Sequence, residues 1–346
     1  FIRPASWNSV FVESTALFLI PVSILVINSQ GKIGTVISNF LLYILVAPQL
    51  SLAMLKSTYF KYKYMIADQA LDRFNALLDY EEMEYPETAL ALEGQDIEFK
   101  DVVFSYDGEK KILDHISFRV EKGETLALVG PSGAGKTTIA RLAARFWDVS
   151  SGEILIGGRN IKDYQKEVLM DNIAFVFQNA DLFKTSLREN ICFGRAVSEE
   201  QLQNALIRSR SMEIIENLEA GLDTVLGSRG TYLSGGEKQR IALARAFIKD
   251  APIVLLDEAT AFADPENEHL IQAALKELSR GKTTLMIAHR MSSIKNADHI
   301  AVLDQGKIVE YGDHESLMNQ AGLYKKMWDE YQSAIVWNIK GAKGAE

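Results

Sequence analysis

The sequence of 346 residues is poor in cysteine and has no excess of basic side chains. Its one cysteine, Cys192, excludes a disulfide framework within the chain and a metal site built on cysteines, and it is typical of a reducing compartment. The formal net charge of -9 argues against a general nucleic-acid-binding protein, because such proteins usually carry a basic surface. No secretory signal pattern, internal repeat or low-complexity tract is visible. Because the sequence starts at Phe1 within an apolar region, we interpret it as part of a longer protein.

Two apolar runs distinguish the first part of the sequence. Residues 33–55, IGTVISNFLLYILVAPQLSLAML, hold no charged side chain and are long enough to cross a bilayer as a helix. Pro48 would kink that helix, which a membrane helix with neighbours tolerates. Residues 10–27 are weaker because they carry Glu13 and Pro21, but the polar turn NSQGK joins them to the second run and favours a membrane hairpin. The alternative, two core helices of a soluble domain, conflicts with the missing polar face of the second run.

Charge predicts how this part of the chain is oriented. Basic side chains follow the second run: Lys56, Lys61, Lys63 and Arg73. Positive charges indicate the cytoplasmic end of a membrane helix. The segment KYKYMIADQALDRFNALLDY continues the helical pattern, and the acidic segment EEMEYPETAL, with Pro86, is typical of a linker between domains.

From about Asp96 the pattern changes to short apolar runs that alternate with amphipathic segments. TLALVG, a glycine loop and KTTIARLAARFW predict a strand, a loop and a helix. PIVLLDEA and TTLMIAH predict two more buried strands. Strands separated by helices imply a largely parallel sheet. Residues 198–219 are predicted to be helical, with Ser198 and Gln201 as a capping box.

The glycine loop GPSGAGKTT has the form G-x-x-x-x-G-K-T. Backbone N–H groups in such a loop surround phosphate oxygens, and the helix that follows adds its dipole. Lys136 would reach the β- and γ-phosphates, and the Thr137 hydroxyl would bind Mg²⁺. The strand before it and the helix after it disfavour a chance glycine turn. The loop residues that we expect to contact the nucleotide are Gly130, Ser132, Gly133, Gly135, Lys136, Thr137 and Thr138.

Two adjacent carboxylates end the predicted strand IVLLDE. Mg²⁺ prefers oxygen ligands, and nucleotide sites supply a carboxylate at a strand end. We assign Asp257 to Mg²⁺ and Glu258 to the attacking water, as general base or polarising group. The plainer alternative is that Glu258 only starts a helix.

A second glycine-rich stretch, LSGGEKQR, spans residues 233–240. With the phosphate loop and IVLLDE it has the order and approximate spacing of an ABC-type ATPase, and with the apolar runs upstream the chain resembles the C-terminal part of an ABC transporter of the exporter-fold class. The resemblance implies an α-helical transmembrane segment followed by an α/β P-loop NTPase domain with a helical subdomain. The implied boundaries are 1–80 for a partial transmembrane domain, 81–95 for a linker, 96–335 for the ABC ATP-binding domain and 336–346 for a tail. The resemblance thus implies an integral membrane protein of the cell or inner membrane, with the ATP-binding domain in the cytoplasm.

The resemblance also implies roles for single residues. Tyr106 in VVFSY matches the aromatic side chain that stacks on adenine, although alone it would be a plain strand aromatic. Gln178 in VFQNADLF matches the Q-loop glutamine, which touches Mg²⁺ or water and faces the membrane domain. His289 in IAHR matches the switch histidine near the γ-phosphate, whereas a lone histidine after a strand is usually structural.

In this family LSGGEKQR resembles the signature motif, which covers the γ-phosphate held by a second subunit. Ser234, Gly235 and Gly236 would supply donors to that phosphate. The implied partner is a second half-transporter, identical or different, and the implied cofactors are ATP and Mg²⁺. Asp264 is the retained aspartate of AFAD, where the family usually has S-A-L-D.

The sequence departs from the family pattern in three places. The hydroxyl and leucine of S-A-L-D are absent from residues 261–264, which weakens the expected contacts across the two sites. Ser228 replaces the usual glutamate of the T-x-V-G-E-x-G loop, and Glu237 stands where glutamine is commoner in the signature. None of these changes removes a group needed for hydrolysis.

The expected function is an ATP-driven membrane transporter half, with export favoured. One alternative is an exporter-fold importer, for example of a metal-siderophore. Another is a soluble ABC-type ATPase of DNA repair, but the short segment between Gln178 and Leu233 leaves no room for its very long coiled coil. The resemblance leaves the cargo open, predicts contact with membrane lipid and predicts no nucleic-acid partner.

Overall fold

The computed structural model describes residues 21–22, 24–25, 33–79, 82–227, 232–257, 265–288 and 291–343. The chain divides into two compact units, Phe1–Glu82 and Met83–Glu346. The second unit holds every described residue of the predicted nucleotide site.

The first unit contains helix α1, Ile33–Leu78, whose 46 residues continue through Pro48 without a break. Apolar side chains along this helix are exposed; Phe60, for example, is 72% accessible. Within the described ranges, no helix combines the length and apolar character that a membrane span requires. Residues 33–55 are therefore confirmed as helix and not confirmed as a span, while residues 10–27 lie almost wholly outside the described ranges.

The second unit is built on two sheets. Its strands are β1 (Ile97–Phe104), β2 (Leu113–Val120), β3 (Thr125–Val129), β4 (Ser151–Ile156), β5 (Arg159–Asn160), β6 (Ile173–Val176), β7 (Ile253–Asp257), β8 (Thr283–Ile287), β9 (His299–Asp304) and β10 (Lys307–Gly312). Four strands form an antiparallel sheet in the order β2-β1-β4-β5, and six form a sheet in the order β10-β9-β3-β8-β7-β6.

The larger sheet is parallel from β9 through to β6, and β10 alone of its strands runs antiparallel to its neighbour. This confirms the prediction of a largely parallel sheet. The runs TLALVG, PIVLLDEA and TTLMIAH form β3, β7 and β8, which lie side by side in the order β3-β8-β7. Their carboxyl ends therefore meet at one edge, where parallel sheets bind ligands.

The helices of the second unit are α2 (Lys136–Ala143), α3 (Lys166–Asn172), α4 (Leu187–Cys192), α5 (Glu199–Arg208), α6 (Met212–Glu216), α7 (Gly235–Lys249), α8 (Pro265–Ser279), α9 (Met291–Ile294), α10 (His314–Gln320) and α11 (Leu323–Lys343). Helices α4 to α7 lie between β6 and β7 in the chain and share a core of their own, which includes Leu187, Leu206 and Ile241. Burial raises the pKa of the Cys192 thiol at the end of α4, which keeps that thiol protonated near neutral pH.

The predicted helical stretch 198–219 is two helices, α5 and α6. Its start is confirmed, because Ser198 accepts from the Gln201 backbone N–H at 3.2 Å and Gln201 Oε1 accepts from the Ser198 backbone N–H at 3.0 Å. The stretch divides into two helices because Arg210 adopts a left-handed conformation with φ of 59°. The buried Ser209 and Ser211 hydroxyls bond to each other at 2.8 Å and fix the break.

A tightly packed core fixes the elements on either side of the phosphate loop. Leu126 and Leu128 of β3 and Ile139 and Leu142 of α2 have no exposed surface. Burial of each such side chain contributes about 1.5–3 kcal/mol to stability. Strand and helix are therefore held firmly, and the loop between them has little freedom.

Arg145, whose side chain is buried, ties the segment before β1 to the rest of the second unit. Its Nη2 donates to the Glu84 carbonyl at 2.7 Å, and its guanidinium lies 4.3 Å from the centre of the Tyr85 ring. The same guanidinium pairs with Asp148 at 3.1 Å. A buried cation of this kind is stable only when it is paired and hydrogen-bonded, as Arg145 is.

Candidate functional site

The phosphate loop requires glycine at its two ends. Gly130 has φ of 145°, and a Cβ there would lie 2.0 Å from the Leu303 carbonyl oxygen. Gly135 has φ of 101°, and a Cβ there would lie 2.6 Å from Leu113 Cδ2. Both distances are far below ordinary van der Waals contact, and both φ angles are ones that glycine adopts readily. The strand-loop-helix prediction for this segment is confirmed.

Lys136 begins α2 and lies inside the loop. Its side chain is buried, and Nζ donates to the carbonyl oxygens of Gly130 and Pro131, both at 2.9 Å. These contacts hold an ammonium group within the curve of the loop. An anion that enters the loop meets this positive charge and the N-terminus of α2 together. Among the other predicted loop residues, Ser132 and Gly133 are exposed and Thr138 is buried.

A hydroxyl and a carboxylate meet beside the loop, as predicted. Thr137 Oγ1 donates to Asp257 Oδ1 at 3.0 Å, and Asp257 is only 4% exposed at the end of β7. Hydroxyl and carboxylate oxygens are ligands that Mg²⁺ accepts, usually together with phosphate oxygens and water. The described residues contain no group of three or more His, Cys, Asp or Glu side chains arranged for a metal. The Thr137 hydroxyl and the Asp257 carboxylate therefore fit a Mg²⁺ ion whose other ligands include oxygens of a nucleotide.

Tyr106 lies close to the start of α2. It is 42% exposed, and its hydroxyl is 3.2 Å from Thr138 Oγ1. Its ring packs edge-on against Trp147 at 5.2 Å and Phe104 at 4.8 Å. Trp147 was not predicted as a site residue, and its only signal is the aromatic pair that ends KTTIARLAARFW.

Gln178 leaves the sheet at the same edge as Asp257. Strands β6 and β7 pair in parallel with Val176 opposite Leu256, so the residues that follow each of them stand level. Phe177, between Val176 and Gln178, stacks on Phe175 at 4.3 Å. The fold thus brings the predicted Gln178 segment beside the carboxylate of the Thr137–Asp257 pair.

The signature stretch forms the start of α7. Ser234 is the N-cap, and its Oγ accepts from the Glu237 backbone N–H at 3.2 Å, while Glu237 Oε2 accepts from the Ser234 backbone N–H at 2.7 Å. Ser234 and Gly235 are exposed, whereas Gly236 is buried and a Cβ there would lie 2.6 Å from Asn267 Cβ. Glu237, a mild departure from the family, therefore completes a capping box.

Comparison with known proteins identifies this arrangement. A sequence profile of the family described as ABC transporter matches residues 113–261. A stretch of 235 residues, 67% of the chain, is 48% identical to the ATP-dependent lipid A-core flippase of Vibrio cholerae serotype O1. Residues 113–261 therefore carry an ABC transporter domain. The ATP-dependent lipid A-core flippase of Haemophilus ducreyi is also 48% identical over 235 residues. The solved structure of a bacterial Atm1-family ABC exporter with ATP bound is 37% identical, with a TM-score of 0.70 over 84% of this chain.

The ABC transporter match is to part of each relative. The chain spans 40% of the length of the Vibrio cholerae and Haemophilus ducreyi flippases and 52% of the exporter chain. ATP with Mg²⁺ is the nucleotide and metal of this family. Lys136 within the loop and the Thr137–Asp257 pair beside it fit a magnesium nucleotide in charge and in ligand type.

Three residues predicted for the ABC site lie outside the described ranges: Glu258, Asp264 and His289. Ser228 and the rest of AFAD also lie outside them. The strands that lead to Glu258 and His289 are described, and they pair with Asp257 opposite Ile287. Strands β7 and β8 end at the same edge of the sheet, and the roles of Glu258 and His289 stay predictions.

Proposed function

We propose that this chain supplies the ATP-binding and ATP-hydrolysing part of an ABC exporter, in which ATP-driven pairing of two such domains is coupled to movement of a substrate across a membrane. The observation that carries the proposal is the Thr137–Asp257 pair at 3.0 Å, directly beside a glycine loop that encloses the Lys136 ammonium.

Hydrolysis is assigned to residues around that loop. Lys136 holds the β- and γ-phosphates, and Thr137 with Asp257 holds Mg²⁺, which neutralises phosphate charge when bound. Glu258 orients the attacking water and accepts its proton, with Gln178 and His289 beside the γ-phosphate. The remaining nucleotide contacts are assigned to Tyr106, Gly130, Ser132, Gly133, Gly135, Thr138 and Asp264.

Each ATP is shared between two chains. Ser234 and Gly235 are exposed at the N-terminus of the fifteen-residue helix α7, and the hydrogen bonds of the Ser234 cap lie within its own helix. An exposed helix N-terminus of this kind attracts phosphate. We assign Ser234, Gly235 and Gly236 to the γ-phosphate on a second half-transporter, which is either a second copy or a related chain.

Residues 1–80 are assigned to the membrane domain, residues 81–95 to the linker, residues 96–335 to the cytoplasmic ATP-binding domain and residues 336–346 to a tail. Support comes from helix α1, whose apolar side chains are exposed, and from relatives that are flippases and an exporter. Exposed apolar surface of this extent marks contact with lipid or with other membrane helices. The native location is then the inner membrane.

Export is favoured over import, because the matched relatives are lipid A-core flippases and an ABC exporter. For the cargo we propose a glycolipid of the lipid A-core class, the substrate in the flippases' name. Such a glycolipid is an amphiphile and would reach its binding site from the bilayer, to which helix α1 is assigned.

Transport in proteoliposomes tests this proposal. The reconstituted protein should move a fluorescent lipid A-core glycolipid between leaflets only with Mg²⁺ and ATP. Glu258→Gln should still bind ATP but lose nearly all hydrolysis and transport, since the amide cannot accept the proton of water. Glu268→Gln, on the described helix α8, is the matched control and should behave as wild type. ATP hydrolysis without glycolipid movement would refute the cargo, and wild-type turnover in Glu258→Gln would refute the catalytic assignment.

A further inference from the structure

A cavity of about 280 Å³ lies between helix α5 and the end of helix α7. Ile248 and Asp250 line it, and Lys249 between them donates to the carbonyl oxygen of Ile173 at 2.6 Å. Ile173 is the first residue of β6, a parallel strand whose carboxyl end is at the nucleotide edge. The cavity therefore lies towards the opposite edge of the sheet and is separate from the nucleotide site.

One wall of this cavity is a polar stripe on α5. Gln201, Asn204, Ala205 and Arg208 all line the cavity, and their i, i+3, i+4, i+7 spacing places them on one face of the helix. The apolar core of these helices takes the neighbouring side of α5, for example through Leu206. The Gln201 and Asn204 amides are exposed, and each can donate and accept hydrogen bonds. The wall is therefore suited to a hydroxylated ligand.

Arg208, at the end of the stripe, has donors to spare. Its guanidinium lies 4.5 Å from the centre of the Phe247 ring, and its Nη2 pairs with the half-exposed carboxylate of Glu277 at 3.4 Å. Its Nε is buried and has no hydrogen-bond partner among the described residues, which is unfavourable. A small turn of the guanidinium would offer that N–H to an oxygen in the cavity, and the exposed pair with Glu277 opposes such a turn only weakly.

The cavity also has an excess of positive charge. Arg195 lines it and pairs with the exposed carboxylate of Asp171 at 2.8 Å, which leaves other donors of the guanidinium free for a ligand. Burial lowers the pKa of the neighbouring Lys249, and the charge of Arg195 lowers it further, so the two cations lie within each other's field. Asp250, the carboxylate of the lining, is paired with Lys282 at 2.7 Å.

These groups match a small dianion with a hydroxylated body. A phosphomonoester carries close to two negative charges near neutral pH, and its oxygens accept well from guanidinium forks. Hydroxyl groups would exchange hydrogen bonds with Asn204 and Gln201, and Phe247 offers apolar surface to the carbon atoms. We propose that this cavity is a binding site for a small phosphomonoester of sugar-phosphate size, with the phosphate held by Arg195 and Arg208.

Binding of glucose 6-phosphate to the full-length protein tests the proposal. Calorimetry and the broadening of its ³¹P resonance are measured without nucleotide, and the expected Kd is about 0.1–1 mM. Glucose, which has no phosphate, and inorganic phosphate, which has no sugar, should each bind at least about tenfold more weakly. The measurement needs no ATP hydrolysis, so its outcome is independent of the proposed function.

Substitutions in the cavity locate the ligand. Arg208→Lys keeps the charge but loses the planar fork, and Arg195→Met loses both, so each should weaken binding by about tenfold or more. Asn204→Leu should weaken it by about threefold to tenfold, because one hydrogen bond to the sugar is lost. Thermal unfolding checks that each variant is folded.

Two control variants should bind glucose 6-phosphate as wild type does. Arg119→Met removes another half-exposed, ion-paired arginine, which lies on β2 and pairs with Asp96 at 3.3 Å. Lys136→Ala removes the cation of the phosphate loop, at the nucleotide edge of the sheet.

Several results would overturn the inference. The first is no binding of glucose 6-phosphate to wild type at about 10 mM. The second is equal affinity for inorganic phosphate, which would show that the sugar is not recognised. Loss of binding in Lys136→Ala would place the ester in the phosphate loop, and an equal loss in Arg119→Met would reduce the effect to net charge. If Arg208→Lys unfolds, wild-type binding by folded Arg195→Met would refute the site.

Discussion

Single residues around the phosphate loop carry two separate demands, one on backbone conformation and one on charge. Gly130 must be glycine because its φ of 145° disfavours any side chain and because a Cβ there would lie only 2.0 Å from the Leu303 carbonyl oxygen. Lys136 must be a cation, since its ammonium is the positive charge that the loop carbonyls of Gly130 and Pro131 hold in place. The first demand concerns folding, and the second concerns the ligand.

Gly130→Ala tests the backbone demand. We expect a loss of about 3 kcal/mol or more in the free energy of unfolding, because the clash with backbone adds to the strain of an unfavourable φ. Gly281→Ala is the control, since Gly281 has φ of 71° but open space around its Cβ position, and it should lose only about 1–2 kcal/mol. Chemical denaturation measures both. Equal losses would show that the close approach at Leu303 does not matter.

Lys136→Ala tests the charge demand. It should weaken binding of a fluorescent ATP analogue by at least about tenfold, because a contact with the β- and γ-phosphates is lost while the loop keeps its glycines. The matched control is Lys166→Ala, at the start of α3, which should bind ATP as wild type does. Unchanged affinity in Lys136→Ala would mean that the loop does not hold the phosphates.

At the scale of elements, the parts that could be predicted from the sequence are those whose signals are local. The order strand, loop, helix around Gly130 and Lys136 follows from glycine spacing and apolar runs, and it is confirmed. The capping box of Ser198 is confirmed as well. The box of Ser234 was not predicted, although Ser-x-x-Glu at residues 234–237 carries the same signal.

Other features depend on contacts that no local pattern encodes. The break between α5 and α6 comes from a left-handed Arg210, a conformation that non-glycine residues adopt only when their surroundings impose it. The edge-on contact of Trp147 with Tyr106 joins two segments far apart in the sequence. Gln239 and Phe177 are likewise brought together only by the packing of α7 on the sheet.

Ser234→Ala tests the signature helix as an element. Loss of the cap should cost about 1 kcal/mol of stability, and Ser198→Ala, which removes the cap of α5, should cost a similar amount. Only Ser234→Ala should also lower ATP hydrolysis, because only that cap faces a phosphate in the proposed dimer. Thermal unfolding and ATPase assays on both variants separate the effect on stability from the effect on hydrolysis. An equal fall in hydrolysis would reduce the role of Ser234 to stability.

At the scale of the whole molecule, the chain holds two features that we propose to bind phosphate, and their surroundings differ. The loop at Lys136 lies beside the magnesium pair Thr137–Asp257, whereas the cap at Ser234 is exposed and its hydrogen bonds lie within α7. A twofold dimer would bring each cap to the loop of the other chain and would create two equivalent composite sites. Opening and closing of that dimer is the two-state motion that could drive the membrane helices.

The most direct test of this account is complementation between two damaged chains. One partner of the proposed dimer carries Ser234→Arg and the other carries Lys136→Ala, with distinct tags so that only mixed dimers are purified and assayed for ATP hydrolysis. One composite site then collects both lesions and the other is intact, so hydrolysis should recover to as much as about half of the wild-type rate. Activity in the mixed dimer no higher than in either variant paired with itself would contradict ATP sites shared between chains.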